Sequence, residues 1–447
     1  MSTWYESAVF YHMYPLGMTG APKINTEDGA ADRFCELNKW IPYLKKLHFS
    51  AIYIGPLFES STHGYDTKDF RMVDRRLGTN EDFKTFVSLC HESGIRVVVD
   101  GVFNHTGREF FAFKDIQKNR EHSPYRDWYK GVSFGWTSPL GDSFGYESWH
   151  GIWDLACLNL QHPAVKDYLL DTVKFWRDEF DIYGIRLDCA NVLDFQFMKE
   201  LRAFTDTLKP EFWLMGEVIH GEYARWVNDE TIHTVTNYEM HKSIYSAHND
   251  HNYFELAHNV RRLEAVGQKL YTFVDNHDED RIVSKLKNSA HLKPVYTLLY
   301  TLPGIPSVYY GSEWGIEGHR SQTSDDVLRP AVSSEEADKN ANERTELIGL
   351  LGEIHREETA FHGGRYQELL LTNKQYAFAR FSEKAVLITA ANNDEEPALL
   401  SIPCPAEGTR AIDLLTDKPC EIENNQIQIK LGGCDAAVLK ITEGDSL

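Results

Sequence analysis

The chain contains few cysteines, and their arrangement does not suit disulfide or zinc chemistry. Seven occur among 447 residues, and no two are spaced as CxxC. Disulfide frameworks generally use an even number of cysteines, and structural zinc sites use closely spaced pairs. We therefore expect reduced thiols that behave as small buried hydrophobic groups, which is typical of a cytoplasmic protein.

Long apolar runs, a basic N-terminus and an excess of positive charge are also missing. No stretch approaches the roughly 18 apolar residues of a membrane helix, and the segment before Leu16 lacks the basic region of a secretory signal. Lys and Arg total 46 against 67 for Asp and Glu, a net charge of −21. That balance disfavours nucleic acid and anionic membranes as partners. The nucleotide-binding patterns GxxxxGK(S/T) and GxGxxG do not occur.

Short β-branched or aromatic runs alternate with amphipathic segments over most of the chain. The eight runs begin at Ala8, Ala51, Arg96, Gly184, Phe212, Thr234, Leu270 and Ser307. Between the third and fifth runs, Val165, Leu169, Val173 and Trp176 recur at a helical period, with Pro163 ahead as a start signal. Eight strand-plus-helix units predict an α/β fold, a closed (β/α)₈ TIM barrel.

Two regions depart from this alternation. Between the third and fourth runs an aromatic, Gly-rich and Ser-rich segment without clear period predicts a subdomain inserted after strand three. After the eighth unit, short alternating segments predict a C-terminal antiparallel β-sandwich, with Ile427, Ile429 and Leu431 on one face. The predicted domains are a barrel at 1–106 and 151–362, an inserted subdomain at 107–150 and a C-terminal domain at 363–447.

Acidic residues stand at the C-terminal ends of the predicted strands, where barrel enzymes place their chemistry. They are Asp100 in the third run, Asp188 in the fourth, Glu217 in the fifth, and Asp275 and Asp278 in the seventh. Two histidines hold similar positions, His105 just past the third run and His277 beside Asp278. A single acid at a strand end is more often a helix cap, but three on different strands indicate a site.

Two of these carboxylates have the surroundings that a glycosidase needs. Arg186 precedes Asp188 by two residues, so both side chains point to one face of the strand. The guanidinium favours an ionised carboxylate suited to nucleophilic attack. Glu217 follows an apolar approach, which favours a raised pKa and the role of general acid. On neighbouring strands the pair is expected at about 5 to 5.5 Å, the separation of a retaining glycosidase, and Asp278 would stabilise positive charge on the sugar ring.

The acids, histidines and aromatic residues also fit roles other than those of a glycosidase. A barrel that holds Mg²⁺ through three carboxylates also fits acids at strand ends, but Arg186 in the same space opposes a divalent cation. Taken alone, His105 and His277 are more typical of structural histidines. Several aromatic residues of the insertion are consistent with sugar stacking, although most aromatic residues of the chain belong to its core. They are Trp128, Tyr129, Trp136, Tyr146, Trp149 and Trp153.

The same residues carry a resemblance to the α-amylase family of glycoside hydrolases. Four segments match that family's short motifs in order: DGVFNH from Asp100, GIRLDCAN from Gly184, MGEV from Met215 and FVDNHD from Phe273. HGYD at His63 extends the match towards the second strand. The resemblance implies the same fold, a (β/α)₈ barrel with an insertion after strand three and a C-terminal β domain.

The resemblance also implies roles for individual residues. The implied catalytic residues are Asp188 as nucleophile, Glu217 as acid and then base, and Asp278 as the carboxylate that holds the distorted ring. The implied sugar-binding residues of subsite −1 are Arg186, His105, His277 and Tyr65, of which Tyr65 stacks on the sugar. His63 and Asp66 share the segment of Tyr65 and are assigned to substrate binding with it. Asp100 is implied to be mainly structural, supporting Arg186.

Within the family, the chain is most similar to the neopullulanase, cyclomaltodextrinase and maltogenic amylase group. LACLN from Leu155 and RLDCANVLDFQF from Arg186 carry this likeness. Val192 replaces that group's usual Glu, and Ile219 stands where a Trp is common, both near the plus subsites. The first predicted strand begins at Ala8, so we expect this protein to lack the N-terminal β domain through which that group often dimerises. Cyclodextrin preference and oligomeric state stay open.

Calcium and the minus side of the cleft depend on single residues. Asn104 matches a residue that binds Ca²⁺ in many α-amylases, but the Lys-His pair after their second motif is replaced by Asn191 and Val192. A bound Ca²⁺ needs roughly six to eight oxygens, so we expect no required cofactor and no metal site, with Asn104 as a candidate calcium ligand. Asp326 and Arg329 resemble a pair that limits the minus side of the cleft in this group, although such pairs are more often solvated salt bridges.

Together the sequence predicts a cytoplasmic retaining α-glucan hydrolase. It would cleave α-1,4-glucosidic bonds of maltooligosaccharides by double displacement, through a covalent glucosyl-enzyme intermediate. One alternative is an α-glucan transglycosylase (4-α-glucanotransferase) that uses the same residues. Another, disfavoured by the presence of all three carboxylates, is a barrel that binds carbohydrate without turnover.

Overall fold

Eight parallel strands form a closed barrel in the computed structural model, which describes residues 3–321, 324–406 and 410–442. The strands are β1 (Phe10–Met13), β2 (Ala51–Ile54), β3 (Arg96–Gly101), β4 (Gly184–Leu187), β5 (Trp213–Gly216), β6 (Thr234–Val235), β7 (Tyr271–Thr272) and β8 (Ile305–Tyr309). Neighbours in sequence are neighbours in the sheet, and β8 pairs with β1. The Asn237 N–H donates to the Tyr271 carbonyl at 2.8 Å and joins β6 to β7. The predicted TIM barrel is confirmed, and each predicted run supplies one strand.

Helices connect the strands. Their bounds are Pro15–Met18, Phe34–Asn38, Trp40–Lys46, Asn80–Glu92, Phe111–Asn119, Pro163–Phe180, Phe195–Leu208, Tyr238–Asn249, Tyr253–Arg262, Ile282–Lys285, Leu292–Thr301, Ser334–Asn340 and Glu343–Glu357. As predicted, one helix begins at Pro163 and buries Val165, Leu169, Val173 and Trp176. In the described part of the chain, no helix has the length and apolar character needed to cross a membrane.

The barrel interior is apolar in its lower layer and polar above it. Phe10 and Trp213 stack at 4.9 Å between ring centroids, and Trp4 packs against both. Side chains two residues apart on a strand share a face, so His12 stands above Phe10 in the next layer. The aromatic layer closes the lower end of the barrel, and the polar side chains are left at the C-terminal ends of the strands.

A small sheet lies between β3 and β4. Ile152–Cys157 is its central strand and pairs with His105–Gly107 and Ser148–Trp149. A second hairpin, Phe58–Ser60 with Thr67–Val73, follows β2. The sugar-stacking interpretation of the inserted aromatics is wrong for three of them, because the side chains of Trp128, Tyr129 and Tyr146 are buried in the core of the insertion.

The last part of the chain is an antiparallel β domain. Its strands are β9 (Arg365–Leu371), β10 (Gln375–Phe381), β11 (Val386–Asn392), β12 (Ala398–Pro403), β13 (Arg410–Asp413), β14 (Lys418–Glu423), β15 (Gln426–Leu431) and β16 (Asp435–Thr442), in the sheet order β9-β10-β11-β16-β13-β14-β15-β12. Ile427, Ile429 and Leu431 are buried on one face, as predicted. Arg380 of β10 is buried against the barrel and donates to the Thr301 carbonyl at 2.8 Å. The exact domain boundaries remain predictions.

Candidate active site

Strand register places the two principal carboxylates side by side. Arg186 of β4 is level with Asp100 of β3 on one side and with Met215 of β5 on the other. Asp188 and Glu217 each follow two residues later on their own strands. The ladder continues to them, since the Glu217 N–H donates to the Leu187 carbonyl at 2.9 Å. Both acids therefore project together from the C-terminal end of the barrel, as the alternation of side chains predicts.

Arg186 binds three carboxylates at once. Its Nη1 donates to both oxygens of Asp100 at 3.0 Å and to Oδ1 of Asp188 at 2.8 Å. Its Nη2 lies 3.0 Å from Oε1 of Glu217. The Tyr53 hydroxyl donates to Asp100 at 2.8 Å, so Asp100 holds the guanidinium from below. Gly55 leaves room for this carboxylate, because a Cβ there would lie 2.4 Å from the Cβ of Asp100.

Glu217 has the electrostatic environment of a general acid. Burial raises its pKa to about 7, the Arg186 guanidinium opposes the rise, and the Asp188 and Asp278 carboxylates add to it. The raised pKa agrees with the prediction, although a cation lies beside the carboxylate. Arg186 reaches Glu217 from the adjacent strand, which spacing along the sequence does not reveal. The desolvation of Glu217 outweighs this attraction.

The pKa of Glu217 predicts the pH dependence of turnover. An acid that must be protonated to act is lost as the pH rises through its pKa, so we expect kcat/KM to fall tenfold per pH unit above about pH 7. The measurement is kcat/KM on a maltooligosaccharide between pH 5 and pH 9. A plateau that extends past pH 9 would contradict the assignment of Glu217 as the acid.

Asp278 stands on the other side of the cleft, between a histidine and an arginine. Its Oδ1 binds Nη2 of Arg329 at 2.7 Å, and its Oδ2 lies 3.1 Å from Nε2 of His277. The Tyr65 hydroxyl lies 2.5 Å from the same nitrogen, and the Tyr65 and His277 rings are nearly parallel. Burial lowers the pKa of His277 well below its usual range, and Arg329 and Arg186 lower it further. This imidazole is therefore neutral.

A cavity of about 450 Å³ adjoins Arg329 and includes two other predicted residues, His63 and Asp326, in its wall. Asp326 forms an ion pair with Lys23 across the rim of this cavity. Arg329 instead binds Asp278 and Asp325. The predicted residues therefore meet at one cavity, but each has a different partner.

Asp66 and His63 shape the turn that presents Tyr65. Asp66 is buried and accepts hydrogen bonds from the backbone N–H and the hydroxyl of Thr62, at 3.1 and 2.9 Å. The exposed His63 accepts from the Tyr65 N–H at 3.2 Å, and its carbonyl accepts from the Tyr14 hydroxyl. Both hydrogen bonds of Asp66 support this loop, and its role in substrate binding stays a prediction.

His105 closes the side of the site formed by the insertion. Its ring lies nearly parallel to that of Trp149 at 6.1 Å, and its buried Nε2 has no partner within the described residues. Burial lowers the pKa of His105, and the Asp188 carboxylate opposes this change. A neutral imidazole with an open nitrogen suits a sugar hydroxyl as its partner.

Asn104, the candidate calcium ligand, has hydrogen-bond partners within the protein. The side-chain amide nitrogen of Asn104 faces Nδ1 of His105 at 3.2 Å, and the backbone carbonyl of Asn104 accepts a hydrogen bond from the Leu158 N–H at 2.9 Å. Within the described ranges, the one set of three acidic, His or Cys side chains close enough to share a metal is Asp188, Cys189 and Glu217. Arg186 binds both carboxylates of that set, so a divalent cation would meet a fixed positive charge there.

Sequence reasoning missed several side chains of the site. His12 is buried between Tyr53 and His277, with ring centroids 4.4 and 5.1 Å away. The Tyr238 hydroxyl lies 3.4 Å from Oε1 of Glu217 and accepts from the Asn276 amide at 3.2 Å. The sequence contained a signal for His12, because it follows Phe10 by two residues and therefore lies on the same face of the first strand. Tyr238 begins a helix, and its sequence context gives no comparable signal.

Asp275, the remaining acid at a strand end, is structural. It accepts from the Ile282 N–H at 2.9 Å and from the Ser312 hydroxyl at 2.7 Å. The site is thus four carboxylates and two guanidinium groups around a cleft, namely Asp100, Asp188, Glu217, Asp278, Arg186 and Arg329. A (β/α)₈ barrel with such a group at its C-terminal end defines the class of barrel glycosidases.

Comparison with known proteins gives the family. Residues 35–348 match the α-amylase catalytic domain, and residues 366–438 match the maltogenic amylase C-terminal domain. The chain belongs to the α-amylase family of glycoside hydrolases, and it is a hydrolase of α-glucans. The resemblance inferred from the four motifs is therefore confirmed.

Individual relatives cover most of the chain. A cyclomaltodextrinase of Geobacillus thermopakistaniensis is 29% identical over 454 residues, which span 96% of this chain and 76% of the relative. An intracellular maltogenic amylase of Bacillus subtilis is 28% identical over 410 residues, 86% of this chain and 68% of the relative. A solved cyclomaltodextrinase structure superposes with a TM-score of 0.86 and 25% identity, covering 98% of this chain and 78% of the other.

Proposed function

We propose that this enzyme cleaves α-1,4 bonds of short maltooligosaccharides with retention of configuration. The observation that carries the proposal is the closeness of the two principal acids. A carboxylate oxygen of Asp188 and one of Glu217 lie within 4.8 Å of each other. Retaining glycosidases hold their carboxyl groups about 5 to 5.5 Å apart, whereas inverting enzymes leave about 6.5 to 9.5 Å for a water molecule. This closeness supports the retaining assignment over the inverting one.

In the proposed first step, Asp188 attacks the anomeric carbon and Glu217 protonates the departing oxygen. The glycosidic C–O bond breaks as the bond from Asp188 forms, and its electron pair goes to the leaving oxygen. Arg186 orients Asp188 through the contact at 2.8 Å. In the second step Glu217, now ionised, takes a proton from water, and the water oxygen replaces Asp188 at the anomeric carbon.

The charges of the site suit a sugar ring that becomes positive between these states. With Glu217 protonated, three carboxylates face two guanidinium groups, so the cleft keeps a net negative charge. Asp278 is held in place by Arg329 and His277. Fixed charges aimed at a developing charge lower the barrier without reorganisation of solvent.

The substrate class and location are inferred from relatives. The names of the matched relatives, a cyclomaltodextrinase and an intracellular maltogenic amylase, indicate action on small soluble glucans inside the cell. We propose that this chain also meets short α-glucans in the cytoplasm. The exposed aliphatic side chains of Val192 and Ile219 stand near the acid, where the acceptor side of the cleft is expected.

A product time course tests the proposal. Purified enzyme is incubated with maltotriose and with maltoheptaose, and all products and reducing ends are measured by chromatography. We expect products no longer than the substrate and a steady rise in reducing ends, with none from the Asp188→Ala variant. Products longer than the substrate, with a nearly constant number of reducing ends, would instead establish a transglycosylase. No turnover of maltotriose or maltoheptaose would contradict the proposed hydrolase activity.

A further inference from the structure

One cysteine residue contacts both catalytic carboxylates, Asp188 through its thiol and Glu217 through its backbone N–H. Cys189, the residue after Asp188, is buried, and its Sγ lies 3.0 Å from Oδ2 of Asp188. Its backbone N–H donates to Oε2 of Glu217 at 3.1 Å. Adjacent residues of a regular strand point to opposite faces, so an extended backbone would direct this side chain away from the nucleophile. Here the backbone of Cys189 is left-handed, with φ of 51°, and this brings the thiol back beside Asp188.

The two oxygens of Asp188 therefore have different partners. Oδ1 accepts from the Arg186 guanidinium, a fixed charge that also holds Asp100. Oδ2 accepts from the neutral Cys189 thiol. Burial raises the pKa of this thiol, and the Asp188 and Glu217 carboxylates raise it further, so the proton stays on sulfur. A weak neutral donor is more easily displaced from an oxygen than a guanidinium is.

We infer that Oδ2 is the attacking atom of Asp188 and that Cys189 is its positioning residue. This inference rests on the proposed retaining mechanism and goes beyond it. In the free enzyme the S–H group stabilises the Oδ2 carboxylate. When Oδ2 bonds to the anomeric carbon, the glycosidic bond breaks, the leaving oxygen takes the proton of Glu217, and the thiol is left beside a poor ester acceptor. When water later releases the sugar, the S–H···Oδ2 hydrogen bond re-forms as Oδ2 recovers its charge.

This exchange acts mainly on the second step. Between the free enzyme and the first transition state the thiol loses part of its hydrogen bond, so it does not lower the barrier to glycosylation. From ester to the second transition state it gains that bond, so it lowers the barrier to release. Loss of the thiol would therefore slow deglycosylation without slowing glycosylation.

The test compares Cys189→Ala and Cys189→Ser with the wild-type enzyme on 4-nitrophenyl α-maltoside. For Cys189→Ala we expect kcat to fall about tenfold, the effect of one hydrogen bond to a charged group. KM should fall by at least the same factor, so that kcat/KM does not decline. A burst of nitrophenolate equal to the enzyme concentration should precede the steady state. Serine supplies a hydroxyl donor and should restore kcat to within about threefold of wild type.

Two controls separate this role from a structural one. Cys90 is buried in the helix Asn80–Glu92. Cys90→Ala removes a core thiol and should leave kcat and KM unchanged. Intact mass of acid-quenched enzyme should show a maltosyl adduct accumulating in Cys189→Ala. Equal kinetics of wild type and Cys189→Ala, or a loss of kcat/KM as large as that of kcat, would overturn the inference. If wild-type enzyme gives only inverted products, the retaining mechanism itself has failed.

Discussion

Glu217→Gln is expected to lower kcat on maltotriose by about 10²- to 10⁴-fold, the usual contribution of a general acid. Glutamine keeps the size of the side chain and its contacts with Arg186 and the Cys189 N–H, but it has no proton to give. The loss should be much smaller on α-maltosyl fluoride, because fluoride departs without protonation. The fall in kcat/KM above about pH 7 should vanish with the titrating group.

Glu313 offers a matched control for this variant. It is fully buried, and burial raises its pKa to about 7, as for Glu217. It accepts from the Tyr11 hydroxyl at 2.6 Å, away from the cleft, since Tyr11 and the inward-facing His12 point to opposite faces of β1. Glu313→Gln should keep the kcat and the pH profile of wild type. Equal losses in the two variants would show that Glu217→Gln acts through the fold and would overturn the acid assignment.

Arg186→Met should cost both activity and stability. Removal of one member of a buried charge cluster typically costs about 3 to 5 kcal/mol, because the partners stay buried without compensation. Here three carboxylates lose their shared cation, and kcat should fall by at least about 10²-fold as Asp188 and Glu217 move from their positions. Urea unfolding at pH 7 and steady-state kinetics are the measurements.

The stability loss should depend on pH in a definite direction. Burial raises the pKa of Asp100 to about 6 even with Arg186 beside it, and without that cation the pKa rises further. Protonation at lower pH therefore relieves the unpaired charge, and the difference from wild type should shrink between pH 7 and pH 5. Arg202→Met, which removes an ion pair with the half-exposed Asp206, serves as the control and should cost about 1 kcal/mol or less. A loss for Arg186→Met no larger than this would contradict the shared-cation account.

The barrel and its carboxylates were predictable because they follow from local periodicity. Eight apolar runs have the length and spacing of βα units, and a period of two along β4 places Arg186 and Asp188 on one face. The polar upper layer of the barrel was likewise predictable from β1, where His12 follows Phe10 by two residues. These features depend on residues close together in sequence, so the sequence contains them.

The partners across strands were not predictable in the same way. The contact between Arg186 and Glu217 depends on the register of β4 against β5, and Tyr238 reaches Glu217 from the start of a later helix. The Cys189 thiol faces Asp188 only because the backbone of Cys189 is left-handed. A cysteine at this position does not predict that backbone conformation. Lys23 and Asp326 meet across about three hundred residues of chain, through the closure of the barrel.

The stereochemistry of the first product tests the central claim most directly. ¹H NMR of maltotriose hydrolysis, recorded before mutarotation, distinguishes the α-anomer from the β-anomer at the newly formed reducing end. The close Asp188 and Glu217 pair predicts that the α-anomer appears first and that the β-anomer grows only as mutarotation proceeds. A β-anomer at the earliest times would mean direct attack by water, and it would contradict the covalent role of Asp188.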